Sequence, residues 1–239
     1  MDGIRLNKYI ANSGYCSRRK ADGWIAAGSV YINGEIVQNP GVRVMPGDEV
    51  VVNGEELTGS QRKVYLLLNK PKGYMSSLAD PNYDRFVLDL IEDMTERIYP
   101  VGRLDVNSRG LLLLTNDGEL SYQLTHPSGE IEKEYEVTLK RPLSKEDQRR
   151  LEMGVVLEGT MTLPAVLKAL SRDQRKWKIT IREGKKRQVR RMFEAVGNEV
   201  TDLLRVRIAN LQLGDLAEGS YRELTQQEQK GLGIDVFNT

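Results

Sequence analysis

Four consecutive leucines, Leu111 to Leu114, lie between the polar stretch V-G-R-L-D-V-N-S-R-G and the turn signal Asn116-Asp117-Gly118. An unbroken apolar run of this length, closed by a turn, suits a strand buried on both faces. The loop before it, fixed by Gly102 and Gly110, then sits at the edge of a rigid sheet and carries one carboxylate, Asp105. Reactive groups are commonly mounted in that way. An Asp in a Gly-containing loop also caps turns. The spacing alone leaves both roles open.

The chain has 239 residues, enough for one large domain or two unequal ones with a substantial core. No apolar run approaches the roughly 20 residues of a membrane helix. The opening Met1-Asp2-Gly3-Ile4-Arg5 lacks the basic-then-apolar plan of a signal peptide. One cysteine, Cys16, forms no internal disulfide, and with the single His126 it makes no conventional zinc site. A cytoplasmic, metal-free protein is expected, without membrane contact.

The formal net charge of +1 hides clusters. Arg18, Arg19 and Lys20 form one basic knot. Lys185, Lys186, Arg187, Arg190 and Arg191 form another, flanked by Arg182, Arg205 and Arg207. Segregated basic patches on a near-neutral chain fit a nucleic-acid binder that grips locally. Either run, taken alone, also fits a solvated face.

Residues from Ile4 to about Leu57 read as a small module of two helices followed by short strands. Leu6, Tyr9 and Ile10 share a helical face that Ser13-Gly14 ends. Ser17 caps a second helix, with Ala21, Trp24 and Ile25 on its buried side. Asn33-Gly34 between Val30-Tyr31-Ile32 and Ile36-Val37 is a hairpin signal. The stretches R-L-N-K-Y-I-A-N-S-G-Y-C-S-R-R-K-A-D and I-A-A-G-S-V-Y-I-N-G-E closely resemble the S4 RNA-binding domain. By that resemblance Arg18, Arg19 and Lys20, at the second helix's first turn, are expected to contact RNA phosphates together with Arg5 and Lys8. Cations beside exposed N–H groups at a helix start attract phosphate oxygens.

Thr58 to Arg62 is a polar linker, so domains are expected over 1–60 and 63–235. In the second domain Val64 to Leu68, Glu132 to Leu139, Val166 to Leu170 and Trp177 to Ile181 read as strands. Helices are expected over Gly118 to Thr125 behind Asp117, from Ser144 to near Gly154, and over Val189 to Val196. A last short helix starts at Thr225 with Glu228. Strands dominate without a regular βαβ order. The class is α+β.

Several chemistries are excluded by what is missing. There is no phosphate-binding G-x-x-x-x-G-K-[ST] loop, no G-x-G-x-x-G after a strand, no serine elbow and no metal cluster. His126, alone before Pro127, reads as structural. What remains is a loop carboxylate, a strand tyrosine and a basic segment.

The block G-R-L-D-V-N-S-R-G-L-L-L-L-T-N-D-G-E-L resembles the signature of the pseudouridine synthases. More narrowly it resembles the RsuA/RluB-type bacterial ribosomal-RNA branch, whose members carry an N-terminal S4 domain. N-K-P-K-G-Y, K-E-Y-E-V and E-G-K-K-R-Q-V-R-R-M-F-E-A-V-G add ordered matches, from Arg5 to about Thr225. The resemblance implies a catalytic domain built on a mostly antiparallel mixed sheet with flanking helices. It implies Asp105 as catalytic aspartate, Tyr135 as the tyrosine stacking on the target base, and Arg190 as the basic partner of the aspartate. Arg103, Lys70, Lys185, Lys186 and Arg187 are expected to contact RNA, with Arg103 helping to hold the target nucleotide out of its stack.

The implied reaction breaks the N1–C1′ bond of a uridine, turns the base and joins C5 to C1′. It needs no cofactor, metal or nucleotide. An ionised carboxylate buried under a base has its pKa raised, and a guanidinium alongside opposes that shift. Tyr135 offers a flat face to uracil. Extruding the target costs a few kcal/mol, which phosphate contacts elsewhere can offset. Ribosomal RNA or an assembling ribosomal subunit is the expected partner, and a monomer the expected state. Many relatives have His where Arg187 precedes Gln188 here, which leans towards a large-subunit target. A small-subunit target is the alternative, and a non-catalytic RNA-binding or ribosome-assembly factor the alternative from another class.

Overall fold

The computed structural model describes residues 3–234, so residue 235, the expected end of the second domain, lies outside the described residues. The chain forms two compact units. The first runs to Val64 and takes in Met94–Ile98, and the second holds the rest.

In the first unit β1 (Ile4–Arg5) leads into α1 (Leu6–Asn12) and α2 (Arg18–Ala26). Then come β2 (Val30–Ile32), β3 (Glu35–Ile36), β4 (Arg43–Val44), β5 (Val50–Val52) and β6 (Glu55–Glu56). The Ser17 side chain accepts from Lys20 N, a side-chain cap of the kind Ser makes at a helix start. Leu6, Ile10, Ala21 and Ile25 pack with Val30, Val50 and Val52 into one core. Asn33 and Gly34 both take positive φ, as the tight turn between β2 and β3 requires. The Met94–Ile98 segment is tied to this unit by Glu96, which meets Arg62 at 3.1 Å, and by Arg97 N, which donates to Gln61 Oε1 at 3.1 Å.

The second unit comprises β7 (Tyr65–Lys70), β8 (Tyr99–Pro100), β9 (Arg109–Thr115), α3 (Gly118–Thr125), β10 (Lys133–Leu139) and α4 (Lys145–Met153). It continues through β11 (Val156–Leu157), β12 (Thr160–Met161), β13 (Val166–Ala169), β14 (Lys176–Ile181) and α5 (Gln188–Ala195). It ends with β15 (Val200–Ile208), β16 (Leu211–Gln212), β17 (Tyr221–Glu223) and α6 (Gln226–Gly231). One sheet runs β13-β14-β10-β15-β9-β7-β17, with β16 on β15 and β8 on β9. The β15–β9 pair is parallel and the others are antiparallel. The class is α+β, as expected.

The four leucines lie in β9, near the middle of this sheet, and none exposes any surface. Leu111 and Leu113 join a core with Tyr65, Leu67, Leu120 and Leu124, while Leu112 and Leu114 are buried on the other face. An unalternating run is what a doubly covered strand demands. Among the described residues no helix is long and apolar enough to cross a membrane.

One central element was not expected from the sequence. β15, V-T-D-L-L-R-V-R-I, lies between β10 and β9. Its three charges mask the strand pattern, yet two of them are paired. Asp202 meets Arg109 and Lys72 at 2.7 and 2.6 Å, and Arg207 meets Glu132 at 3.0 Å. The third, Arg205, is 3% exposed.

Candidate active site

Asp105 sits in the loop between β8 and β9, and every backbone carbonyl of that loop from Leu104 to Ser108 has a donor. Ser76 Oγ donates to Leu104 O at 3.0 Å. Asp105 O accepts from Ser108 N at 2.9 Å and from Lys70 Nζ at 3.3 Å. Val106 O accepts from Gly73 N at 2.9 Å, Asn107 O from Arg190 Nη2 at 2.9 Å, and Ser108 O from Lys70 Nζ at 2.9 Å. A loop with its carbonyls so fully committed is held in one conformation. Its exit is fixed as well. Gly110 has φ +107°, and a Cβ there would strike the backbone N and O of Arg205 across the β9–β15 pair.

The loop forms one wall of a cavity of about 900 Å³. Tyr135 on β10, 8% exposed, lines it together with Lys133, Arg205, Ile181 and Val189. Arg103, exposed beside Asp105, and Lys185, Lys186 and Arg187 also line it. Glu183 shapes the basic segment: its Oε1 accepts from Gln188 Nε2 at 2.6 Å and from Leu163 N at 2.9 Å. Arg187 takes a left-handed φ of 52° just before α5. The geometry places the Asp105 carboxylate and the Tyr135 ring in a cavity ringed by cations, with Glu183 and Tyr83 also on its lining. It suits an anionic polymer that inserts a single planar group.

The structure places Lys70 away from its expected RNA-facing surface and gives Arg190 backbone contacts besides. Lys70, expected on an RNA-facing surface, has no exposed surface at all. Its ammonium donates to the carbonyls of Pro71 and Ser108, both at 2.9 Å, and reaches those of Asp105 and Val106 at 3.3 and 3.5 Å. It cannot contact RNA phosphates from there. It is the buried post around which the Asp105 loop is wound. Burial pushes its pKa down to about 8, against the upward pull of the Asp105 charge.

Arg190, expected alongside the carboxylate, is 8% exposed and sends Nη1 to Val200 O at 2.7 Å and Nη2 to Asn107 O. It thus grips the backbone of the Asp105 loop. Burial lowers its pKa first and Arg187 adds to that, while the Asp105 charge acts the other way. The sequence reading missed Arg205 and Lys133 as cavity residues. The first lay in the unrecognised strand. The second lies two residues before Tyr135 in β10, the spacing that puts two strand residues on one face.

In the first unit Arg18, Arg19 and Lys20 are exposed on the first turn of α2, Arg5 is exposed and Lys8 half-buried. Lys20 Nζ lies 4.8 Å from the centre of the Trp24 ring. That contact stiffens the ammonium without removing it from solvent. No group of His, Cys, Asp and Glu able to hold a metal ion occurs among the described residues.

The chain is similar to known proteins over nearly its whole length. Residues 64–195 match the family described as RNA pseudouridylate synthase, and residues 4–50 match the S4 domain. Ribosomal large subunit pseudouridine synthase B of Bacillus subtilis (strain 168) is 46% identical over 232 residues, covering 95% of this chain and 95% of its own. Ribosomal small subunit pseudouridine synthase A of Escherichia coli (strain K12) is 39% identical, over 94% of this chain and 98% of its own. A crystal structure of a pseudouridylate synthase superposes with a TM-score of 0.70 at 36% identity, covering 96% of this chain and 99% of that one.

Proposed function

The chain belongs to the RNA pseudouridylate synthase family and carries an S4 domain, and we propose on that premise that it isomerises a uridine of ribosomal RNA to pseudouridine. Asp105 is the catalytic carboxylate, Tyr135 the platform on which the extruded uracil stacks, and Arg190 the clamp that sets the loop. Arg103, Lys185, Lys186 and Arg187 take phosphates at the cavity mouth. Arg5, Lys8, Arg18, Arg19 and Lys20 hold neighbouring RNA. The observation that carries this reading is the Asp105 loop, whose carbonyls from Leu104 to Ser108 are all committed on the wall of the cavity that Tyr135 lines. A merely turn-capping aspartate needs no such loop. Preorganisation of this kind is what acid–base or nucleophilic work requires.

Large-subunit RNA is the preferred target. Similarity to the Bacillus subtilis enzyme is higher than to the Escherichia coli small-subunit enzyme, 46% against 39%. The test is to incubate the protein with large- and small-subunit RNA separately, naked and as immature subunits, and to map pseudouridine by carbodiimide-dependent primer-extension stops. A new stop in large-subunit RNA is expected. A stop only in small-subunit RNA reverses the target, and binding without any stop favours an assembly factor.

A further inference from the structure

Arg205 is a buried cation that the clamped loop and the cavity mouth leave without a task. It lies opposite Tyr135 in the β10–β15 register and beside Gly110 in the β15–β9 register. Its Nε donates to Leu111 O at 2.7 Å, while Nη2 is buried with no partner. The neighbouring arginines of the sheet are paired, Arg109 with Asp202 and Arg207 with Glu132. Among the described residues Arg205 has no ion pair. Lys133, also on the cavity wall, spends one N–H on Ile131 O at 2.9 Å. Burial lowers the pKa of that ammonium, and the Arg205 charge lowers it further.

A buried guanidinium without a counter-charge is unfavourable for folding, and an apolar side chain would fill the same place better. Its presence on the wall of a cavity implies an anion that arrives from outside. Two groups of a bound nucleotide could serve, a phosphate, or the base once it takes up negative charge. Residues directly opposite in an antiparallel pair have Cβ atoms about 4.5–5.5 Å apart and share a face. Arg205 is thus the lateral neighbour of the ring on which the base would stack. The exposed cations Arg103, Lys186 and Arg187 are better placed for the hydrated phosphates.

We propose that Arg205, assisted by Lys133, binds the uracil carbonyl edge and holds the negative charge that the base acquires during the rearrangement, which makes it a further catalytic residue. The proposal rests on the pseudouridine synthase reading. When the N1–C1′ bond breaks heterolytically, both electrons leave with the uracil. C1′ then takes a pair from the Asp105 carboxylate, or from the C2′–H bond once that proton is removed. After the base turns, a pair from C5 forms the C5–C1′ bond, the group covering C1′ departs or the proton returns to C2′, and the C5 proton goes to solvent. If Asp105 adds to C6 instead, the C5=C6 pair shifts to C4–C5 and the carbonyl pair onto O4, and the carboxylate leaves C6 with its pair once C5 has bonded C1′ and lost its proton. Each route puts negative charge on the carbonyl edge. Buried donors aimed at such charge act mainly on the rate.

The test uses the full chain with a ribosomal RNA fragment carrying either uridine or 5-fluorouridine at the target. Fluorine stabilises the departing base anion, so that substrate needs less help from the protein. Arg205→Gln is expected to lower the single-turnover loss of the parent uridine by about 10²–10³-fold. RNA affinity should stay within about threefold, and the rate deficit should shrink by about tenfold or more with 5-fluorouridine. Arg205→Lys, which keeps a charge, should recover part of the rate. Weaker binding and a flatter salt slope at an unchanged saturating rate would make Arg205 a phosphate ligand and overturn the proposal. An equal deficit on both RNAs with no recovery in Arg205→Lys would make it purely structural. Inactivity of the wild type on naked RNA and immature subunits alike would remove the pseudouridine synthase reading itself, a result distinct from either.

Discussion

Replacing Lys70 by Met separates stability from activity, because the two effects on stability nearly cancel. The ammonium is fully buried, and its pKa is pushed down to about 8 from 10.5. At about 1.4 kcal/mol per unit, Met relieves roughly 3 kcal/mol of that cost at neutral pH. Against this, Asp105 O keeps Ser108 N and Val106 O keeps Gly73 N. Pro71 O and Ser108 O lose their ammonium donor, and the hydrogen bonds of the described residues offer no other. Two abandoned buried carbonyls cost about 2–6 kcal/mol. The balance runs from a gain of about 1 kcal/mol to a loss of about 3 kcal/mol, or a fall of at most roughly 10 °C in Tm. Activity should fall further, because a catalytic group displaced by about 1 Å loses up to about 10²-fold in rate. Single-turnover conversion of an RNA fragment should drop about 10- to 100-fold while Tm moves little. The pH profile gives a second readout. With its folded pKa depressed, Lys70 loses its proton above about pH 8 while the unfolded chain keeps it to about 10.5. In that window the unfolded state binds more protons, so this group's contribution to stability rises with pH. Activity should nevertheless fall through pH 8 in the wild type, as one loop donor is lost, and that limb should be missing in Lys70→Met. A variant within about threefold of wild type with the limb intact would refute the post.

Two further predictions concern other parts of the chain. Gly110→Ala should destabilise by about 2–4 kcal/mol, because it combines a strained positive φ with a clash against the Arg205 backbone; thermal melts check it, and a Tm within a degree or two of wild type would contradict it. Changing Arg18, Arg19 and Lys20 together to Ala should flatten the slope of log affinity against log salt by about two to three. An unchanged slope in filter-binding titrations would remove these three from the RNA interface.

The helix starts were legible because each carries its own chemistry locally. Ser17, Asp117, Ser144 and Thr225 all cap through their side chains in the structure. The leucine strand was legible because burial on two faces leaves no polar alternation to hide it. β15 was not, since two of its three charges are paired with residues far away in the chain, as when Asp202 meets Arg109. Lys70 and Arg205 failed for a related reason. Long cations are almost always at the surface unless paired, and nothing near Lys70 in sequence reveals carbonyls that reach it from 35 to 38 residues away. The loop that carries Asp105, and its partner Arg190, could be located from the sequence, but the part Lys70 plays in setting the loop's shape could not.

The central claim is that Asp105 drives formation of a carbon–carbon bond at uridine C5. Ribosomal RNA labelled with tritium at uridine C5 reports it directly, because forming the C5–C1′ bond expels that hydrogen. The wild type should release tritium from naked RNA or from immature subunits. Asp105→Asn should release none while binding the same RNA within a few-fold. Release from Asp105→Asn at the wild-type rate would contradict the account, as would a wild type that releases none from either substrate.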